Sequence, residues 1–245
     1  MEFEPGHLYH VYNRGNNSQK IFFTPANYLF FLNKIKINIL PHADILAWCL
    51  MPSHFHLMIH VNEKELEVAE LVTGVPKLVT SLIQEAKDSG LQIRNENSYL
   101  LSKYRATPIL HENSPHPGKA SITHTLNASI GNILSSYARA IQKQENRTGS
   151  LFQHRTKAIC LTRMDGISSA WFQSGFGAII NVSYPEKEYP QVCFNYIHGN
   201  PVKDGLVKLP EDWEFSSARD YAGVRKGRLI NKNRVKEFGL EYFTG

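Results

Sequence analysis

Long apolar runs are missing from this 245-residue chain. No stretch approaches the ~20 consecutive apolar residues that a membrane-spanning helix needs. The opening MEFEPGH carries acidic residues where a secretory signal has positive charge followed by an apolar core. The expectation is a cytoplasmic protein with no membrane partner. Cysteine is scarce: Cys49, Cys160 and Cys193 stand far apart, without the CxxC spacing of a zinc site. That predicts reduced, buried thiols and excludes a disulfide framework. Internal repeats and low-complexity linkers are also lacking, so the length points to one domain with elaborations.

Positive charge is present in modest excess, +5 with a pI near 9.0. A polyanion partner is compatible with this, but many proteins without one are as basic. The distribution says more. After Tyr221 the basic residues Arg225, Lys226, Arg228, Lys232, Arg234 and Lys236 face only Glu237 and Glu241. This tail, residues 222–245, is a candidate nucleic-acid contact and equally a solvated surface helix.

The pattern along the chain reads first as strand, helix, strand, strand. In GHLYHVYNRG, Leu8, His10 and Tyr12 alternate with Tyr9, Val11 and Asn13 as on a strand. TPANYLFFLNKIKINILP predicts a helix with Thr24 as N-cap, Pro25 in the first helical position, an apolar stripe at Tyr28, Leu32, Ile35 and Ile39, and Pro41 as its stop. ADILAWCLMP and HFHLMIHV predict two strands joined at Pro52 and Ser53. Helices are expected around Lys64–Val72 and Lys77–Lys87, then a long one over 123–144 with Leu126, Ile130, Leu134, Tyr137 and Ile141 on one stripe. LFQHRTKAICL reads as a strand with Gln153, Arg155 and Lys157 on one face. VCFNYIHGNPVKDGLV reads as a helix from Gln191 that stops before Pro201, with a turn at Lys203–Gly205.

Two features carry chemistry. His54 and His56 lie one residue apart on a strand, so both project from one face while Phe55 goes into the core behind them. That is half a site for a divalent ion, or a pair of surface or hydrogen-bonded core histidines; His60, on the same face, favours the second reading. Tyr196 and Asn200 are four apart on a helix and share a face, so a phenol and a carboxamide could be offered to one ion. Taken alone, Tyr196 reads as a half-buried core tyrosine, as do Tyr137 and Tyr221.

The succession GHLYHVYNRG, WCLMPSHFHLMI, RTGSLFQHRTKAI, YIHGNPVKDGLV and DWEFSSARDY resembles the single-tyrosine HUH transposases. Within them it is most similar to the branch of REP-associated tyrosine transposases, which carry a comparable segment after the tyrosine helix. The resemblance implies an α+β, ferredoxin-like sandwich with a mainly antiparallel sheet and helical insertions. It implies a DNA transposase and single-strand endonuclease that nicks and rejoins single-stranded or hairpin DNA through a 5′-phosphotyrosine. His54 and His56 would hold Mg²⁺ or Mn²⁺, Asn200 would complete that site, and Tyr196 would be the nucleophile. Arg14, Arg155, Lys157 and Lys203 are candidate DNA contacts. Trp171 and Phe172 would be buried or would stack on unpaired bases.

On this reading residues 1–221 form one domain with insertions at about 62–122 and 162–190, both longer than the family's usual connections. The family contains monomers and homodimers, and the long segment after Tyr196 favours a monomer. Two other functions compete. One is a domesticated DNA-binding protein of the same fold that cuts weakly or not at all. The other is a His-x-His barrel hydrolase, which would require an alternating strand–helix series with further His and Asp ligands; the sequence shows no such series.

Overall fold

A computed structural model describes residues 1–67, 123–163, 172–173, 179–180 and 185–242. The chain divides into two compact units, Met1–Lys64 with Leu126–Gly245, and Glu65–Thr125. In the second unit the described residues are a short antiparallel ladder of β4 (Glu65–Glu67) and β5 (Thr123–Thr125). The helix expected from Lys64 therefore begins as strand, while its remainder and the helix expected at Lys77–Lys87 lie outside the described residues.

The first unit is α+β and is built on one four-stranded sheet. Its elements are β1 (Leu8–Arg14), α1 (Pro25–Ile39), β2 (Ala43–Met51), β3 (His54–Val61), α2 (Leu126–Gln144) and β6 (Lys157–Cys160). The strands lie in the order β2-β3-β1-β6 with every pair antiparallel. This is the split β-α-β arrangement of a ferredoxin-like sheet, and it rules out the barrel of parallel strands that a His-x-His hydrolase would need. Phe172–Gln173 (β7) and Ile179–Ile180 (β8) form a separate two-stranded ladder.

Strand alternation sorts side chains to two faces. Tyr9 and Val11 of β1 and Phe55, Leu57, Ile59 and Val61 of β3 enter one core, with Phe31, Ile35 and Ile39 of α1 and Ile130, Ile133 and Tyr137 of α2. Asn27 starts α1 by accepting the backbone N–H groups of Phe23 and Thr24 at 3.0 and 3.1 Å, satisfying donors that precede the first turn. In β2 the pairing shifts between Ile45 and Ala47. This bulge moves Ala47, Cys49 and Met51 to the opposite face from Ile45. They meet Leu8, Met58 and the helix α3 (Pro185–Lys203), whose Tyr189, Cys193, Phe194 and Ile197 complete a second core.

Helix α3 begins before Gln191 and continues through Pro201, against the expectation that it would stop there. Pro201 sits in the last turn, where its missing N–H deprives only one carbonyl of a helical donor. The helix then closes with Leu206 N–H donating to the Pro201 carbonyl (2.9 Å) and Gly205 N–H to that of Val202 (3.0 Å). That pair of bonds needs a left-handed residue, and Gly205 supplies it with φ +68°. The strand expected over LFQHRTKAICL is shorter than read. Tyr12 pairs with Lys157, but Gly15 bridges Phe152, so four residues oppose Asn13 and Arg14. The surplus bulges outward and is held by Asn13 Nδ2, which donates to the Gln153 carbonyl (3.2 Å) and Thr156 Oγ1 (2.9 Å). Gln153 and Arg155 accordingly leave the strand, and only Lys157 of the expected face stays on it.

The C-terminal segment is no free appendage. Residues 213–217 run along the outer edge of β2, with Leu50 N–H donating to the Phe215 carbonyl (2.9 Å) and Ser217 N–H to that of Trp48 (2.9 Å). Helix α4 (Ala218–Tyr221) follows, then Ile230 bridging Ile45, then α5 (Lys232–Glu237). Ile230, Val235 and Leu240 are buried. Three of the tail's basic residues are engaged internally: Arg225 pairs with buried Asp220 at 2.6 Å, Lys232 donates to the Asp220 carbonyl at 2.6 Å, and Arg234 pairs with Asp44 at 3.2 Å. Lys226 and Lys236 remain exposed. Of the cysteines, Cys49 and Cys193 are buried and all three are free thiols. Among the described residues no helix is long and apolar enough to cross a membrane.

Candidate metal and nucleophile site

The face of the sheet that meets α3 carries the histidines. The β2–β3 hairpin turns at Pro52 and Ser53, so His54 opens β3 opposite Arg14 at the end of β1, and His56 lies opposite Tyr12. His56 is 4% exposed and His54 is half-buried. Their ring centroids are 5.0 Å apart at 84°. Ser53 Oγ lies 3.0 Å from His54 Nδ1. His10, 4% exposed on the neighbouring strand, brings its Nε2 within 2.9 Å of His56 Nδ1. The other nitrogen of His56, Nε2, is buried without a hydrogen-bond partner.

Tyr196 on α3 sits against this cluster, edge-on to the rings of His56 (5.3 Å between centroids) and His10 (6.1 Å). Asn200, 3% exposed, is one turn further on and donates from Nδ2 to the Tyr196 carbonyl at 2.7 Å. Nδ2 keeps a second N–H, and the Asn200 side chain is hydrogen-bonded to both His54 and Tyr196, raising the pKa of the imidazole and lowering that of the phenol. Asp204, a further turn along, is near enough to act electrostatically on His54 and Tyr196.

Burial dominates the electrostatics. It depresses His56 well below the ordinary imidazole value, with the neighbouring His10, His54 and Lys203 lowering it further. It takes His10 down to about 3. His54 is lowered as well, by burial first, with Asp204 and Asn200 opposing and Arg14 and Lys203 reinforcing. All three imidazoles are thus neutral at neutral pH, the form in which a histidine can ligate a metal. Burial also raises the Tyr196 phenol above its ordinary 10, and the hydrogen bond from Asn200 only partly opposes that.

Among the described residues no group of three or more His, Cys, Asp or Glu is arranged to hold an ion. Two imidazoles and a carboxamide oxygen would therefore need oxygens from substrate or water to complete a hard cation's shell. The bare, buried Nε2 of His56 and the neutrality of the rings fit such an occupant.

The structure brings together His54, His56, Tyr196 and Asn200. Three of the expected DNA contacts lie at the rim: Arg14 opposite His54, Lys157 with its ammonium 5.8 Å from the Tyr12 ring centroid, and Lys203 at 5.9 Å from that of Tyr196. Arg155, exposed on the bulge, makes no such approach. His60 is separate, bonded to Asn62 Oδ1 at 2.9 Å and set against Phe238. Tyr137 and Tyr221 are structural, their hydroxyls donating to the carbonyls of Ile21 (2.6 Å) and Leu46. Trp171 lies outside the described residues, as does the side chain of Phe172.

Sequence reasoning missed His10, Tyr12 and Asp204 as members of this cluster. The alternation of LYHVYNR placed His10 and Tyr12 on one face, but only the pairing of β1 with β3 shows that this face is the one carrying His56.

No family model and no curated protein matches the chain. Among solved structures it is similar to a REP-associated tyrosine transposase bound to a REP hairpin, with a TM-score of 0.45 and 16% identity, over 91% of this chain and 83% of that one.

Proposed function

We propose that the protein is a DNA strand transferase that nicks and rejoins single-stranded DNA beside a hairpin, with Tyr196 as nucleophile and His54, His56 and Asn200 holding Mg²⁺ or Mn²⁺. The observation that carries this reading is the half-buried Tyr196 set edge-on, 5.3 Å between centroids, to a buried imidazole whose Nε2 has no partner. His198 also buries a partnerless nitrogen beside tyrosines, but only His56 combines it with a second imidazole two residues away on the same strand face.

In the reaction Tyr196 Oη attacks the scissile phosphorus as its phenolic proton is lost. The P–O3′ bond breaks, the departing oxygen takes up a proton as a free 3′-OH, and the phosphodiester is conserved as a 5′-phosphotyrosine. Reversal by another 3′-OH rejoins the strand and frees the phenol. A divalent cation, when bound, would polarise the phosphate and favour the phenolate. Asn200 orients the phenol through its hydrogen bond. Arg14, Lys157 and Lys203 offer charge to phosphates on either side of the cut, and Arg155 to more distant ones. Tyr196 packs against His56 of its own chain, which supports action in cis by the monomer expected from the sequence.

The raised affinity of the Tyr196 phenol for its proton favours one alternative, a domesticated protein that binds hairpin DNA and cuts poorly. A single-stranded hairpin oligonucleotide labelled at either end separates the two. Transfer of the 3′-end label, and not the 5′-end label, onto denatured protein in Mn²⁺ is the expected result. Tight binding with no labelled protein at any metal concentration would leave the binding-only reading.

A further inference from the structure

We propose that His10 is a positioning residue that holds His56 in the tautomer protonated on Nδ1, leaving the bare Nε2 directed at the site beside Tyr196. This role presupposes the metal site described above and adds to it the residue that orients one ligand. His10 Nε2 and His56 Nδ1 are 2.9 Å apart between two nearly inaccessible rings, so one proton lies between them. If His56 donates it, the partnerless Nε2 is a lone pair. If His10 donates it, His56 must carry its own proton on Nε2, and a buried N–H would be left without an acceptor. Orphaned buried donors are rarer than under-used acceptors, and a lone pair is what a cation requires.

His10 is itself held in place. Its ring stacks on Tyr12 at 4.7 Å and 27°, its strand is hydrogen-bonded to β3, and the edge of Tyr196 closes the third side. His54, nearer the surface, has the hydroxyl of Ser53 at the equivalent nitrogen. The two candidate ligands are thus supported differently, one by a hydroxyl at the rim and one by a buried imidazole. An imidazole in water prefers its proton on Nε2, so removing the His10 acceptor returns His56 toward the tautomer that cannot ligate through that nitrogen.

The test compares His10→Leu and His10→Gln with wild type, using two readouts that do not depend on cleavage. Nitrogen NMR of the metal-free protein reports the His56 tautomer, and calorimetry reports Mn²⁺ binding without DNA. The expected result is Nδ1-protonated His56 in wild type and its loss in His10→Leu. Mn²⁺ affinity should fall about 10–100-fold in the leucine variant and be largely restored in His10→Gln, whose carboxamide reaches the Nε2 position. Should the leucine variant fail to fold, His10→Asn replaces it, because its shorter carboxamide does not reach His56. Unchanged tautomer and Mn²⁺ affinity in a folded variant lacking the acceptor would overturn the role of His10 alone. Wild-type protein that takes up no Mn²⁺ would overturn the metal site and this role with it.

Discussion

The two faces of the central sheet are built from the same two strands, yet they do different work. On one face Tyr9, Val11, Phe55, Leu57 and Ile59 meet α1 and α2 in an apolar core, and among the phenols buried there Tyr137 donates to the Ile21 carbonyl and Tyr9 accepts from the Glu4 N–H. On the other face His10, Tyr12, His54 and His56 meet α3, with Tyr196 against them and a buried nitrogen left without a partner. Each face buries a nitrogen without a partner, the indole N–H of Trp48 on the first and Nε2 of His56 on the second; only the second lies in a cluster of imidazoles beside a phenol, where a lone pair can serve chemistry.

The sharpest way to break this comparison is to treat the two tyrosines alike. Tyr196→Phe is expected to abolish the covalent DNA adduct while leaving the fold and hairpin binding nearly intact. Tyr137→Phe should leave cleavage standing and instead cost about 1–3 kcal/mol, measured by urea unfolding, because the Ile21 carbonyl loses its buried donor. An adduct that forms without Tyr196 would end the assignment.

Neighbours on opposite faces of β3 give the next largest contrast. Phe55→Ala should destabilise the protein by about 3–5 kcal/mol through the cavity it leaves. His56→Ala or His54→Ala should lower nicking on the order of a hundredfold or more with much less effect on the unfolding midpoint. Full nicking by either alanine variant at low Mn²⁺, or by wild type in excess chelator, would remove this strand as the metal floor.

Smaller effects sharpen the picture. Asn200→Ala should reduce nicking roughly tenfold or less and recover at higher Mn²⁺, since water replaces a neutral oxygen ligand more readily than an imidazole. Replacing Arg14, Lys157 or Lys203 by Ala should flatten the dependence of log K on log salt by about 0.7 per lost single-strand phosphate contact. An unchanged slope for all three would mean that the DNA path avoids this rim.

The smallest expected effect lies at the edge of β2, where Asp44 anchors the segment that follows α4. Burial raises the Asp44 carboxyl's pKa, but hydrogen bonds from Asn231, Asn62 and Arg234 outweigh it, and the net value lies below the ordinary 3.8. Its contribution to stability is therefore present above that unfolded value and lost as pH falls through the lower folded one. Asp44→Asn should remove this part of the acid dependence, and thermal melting between neutral pH and pH 3 checks it. An identical acid profile in the variant would mean that the anchor adds nothing.

Legibility in the sequence followed how local each signal was. The His54–Phe55–His56 alternation, the Thr24–Pro25 start of α1 and the stripe of α2 are readable because strand and helix periodicities are properties of a few consecutive residues. The end of α3 was misread because proline argues against a helix locally, whereas the closing bonds to Pro201 and Val202 form only once Gly205 turns the chain. The bulge over residues 153–156 was hidden because it depends on Asn13, some 140 residues earlier in the chain.

By itself the sequence determined the opening order of strand, helix, strand, strand from local periodicity, and the shared faces of His54 with His56 and of Tyr196 with Asn200 from dihedral geometry over at most five residues. Tertiary structure alone decided that these two faces meet, that His10 backs His56, and that the basic tail spends Arg225, Lys232 and Arg234 on holding itself to β2 and α4. The physical reason is that pairing register and helix docking are set by burial summed over residues distant in the chain, which no short window of sequence contains.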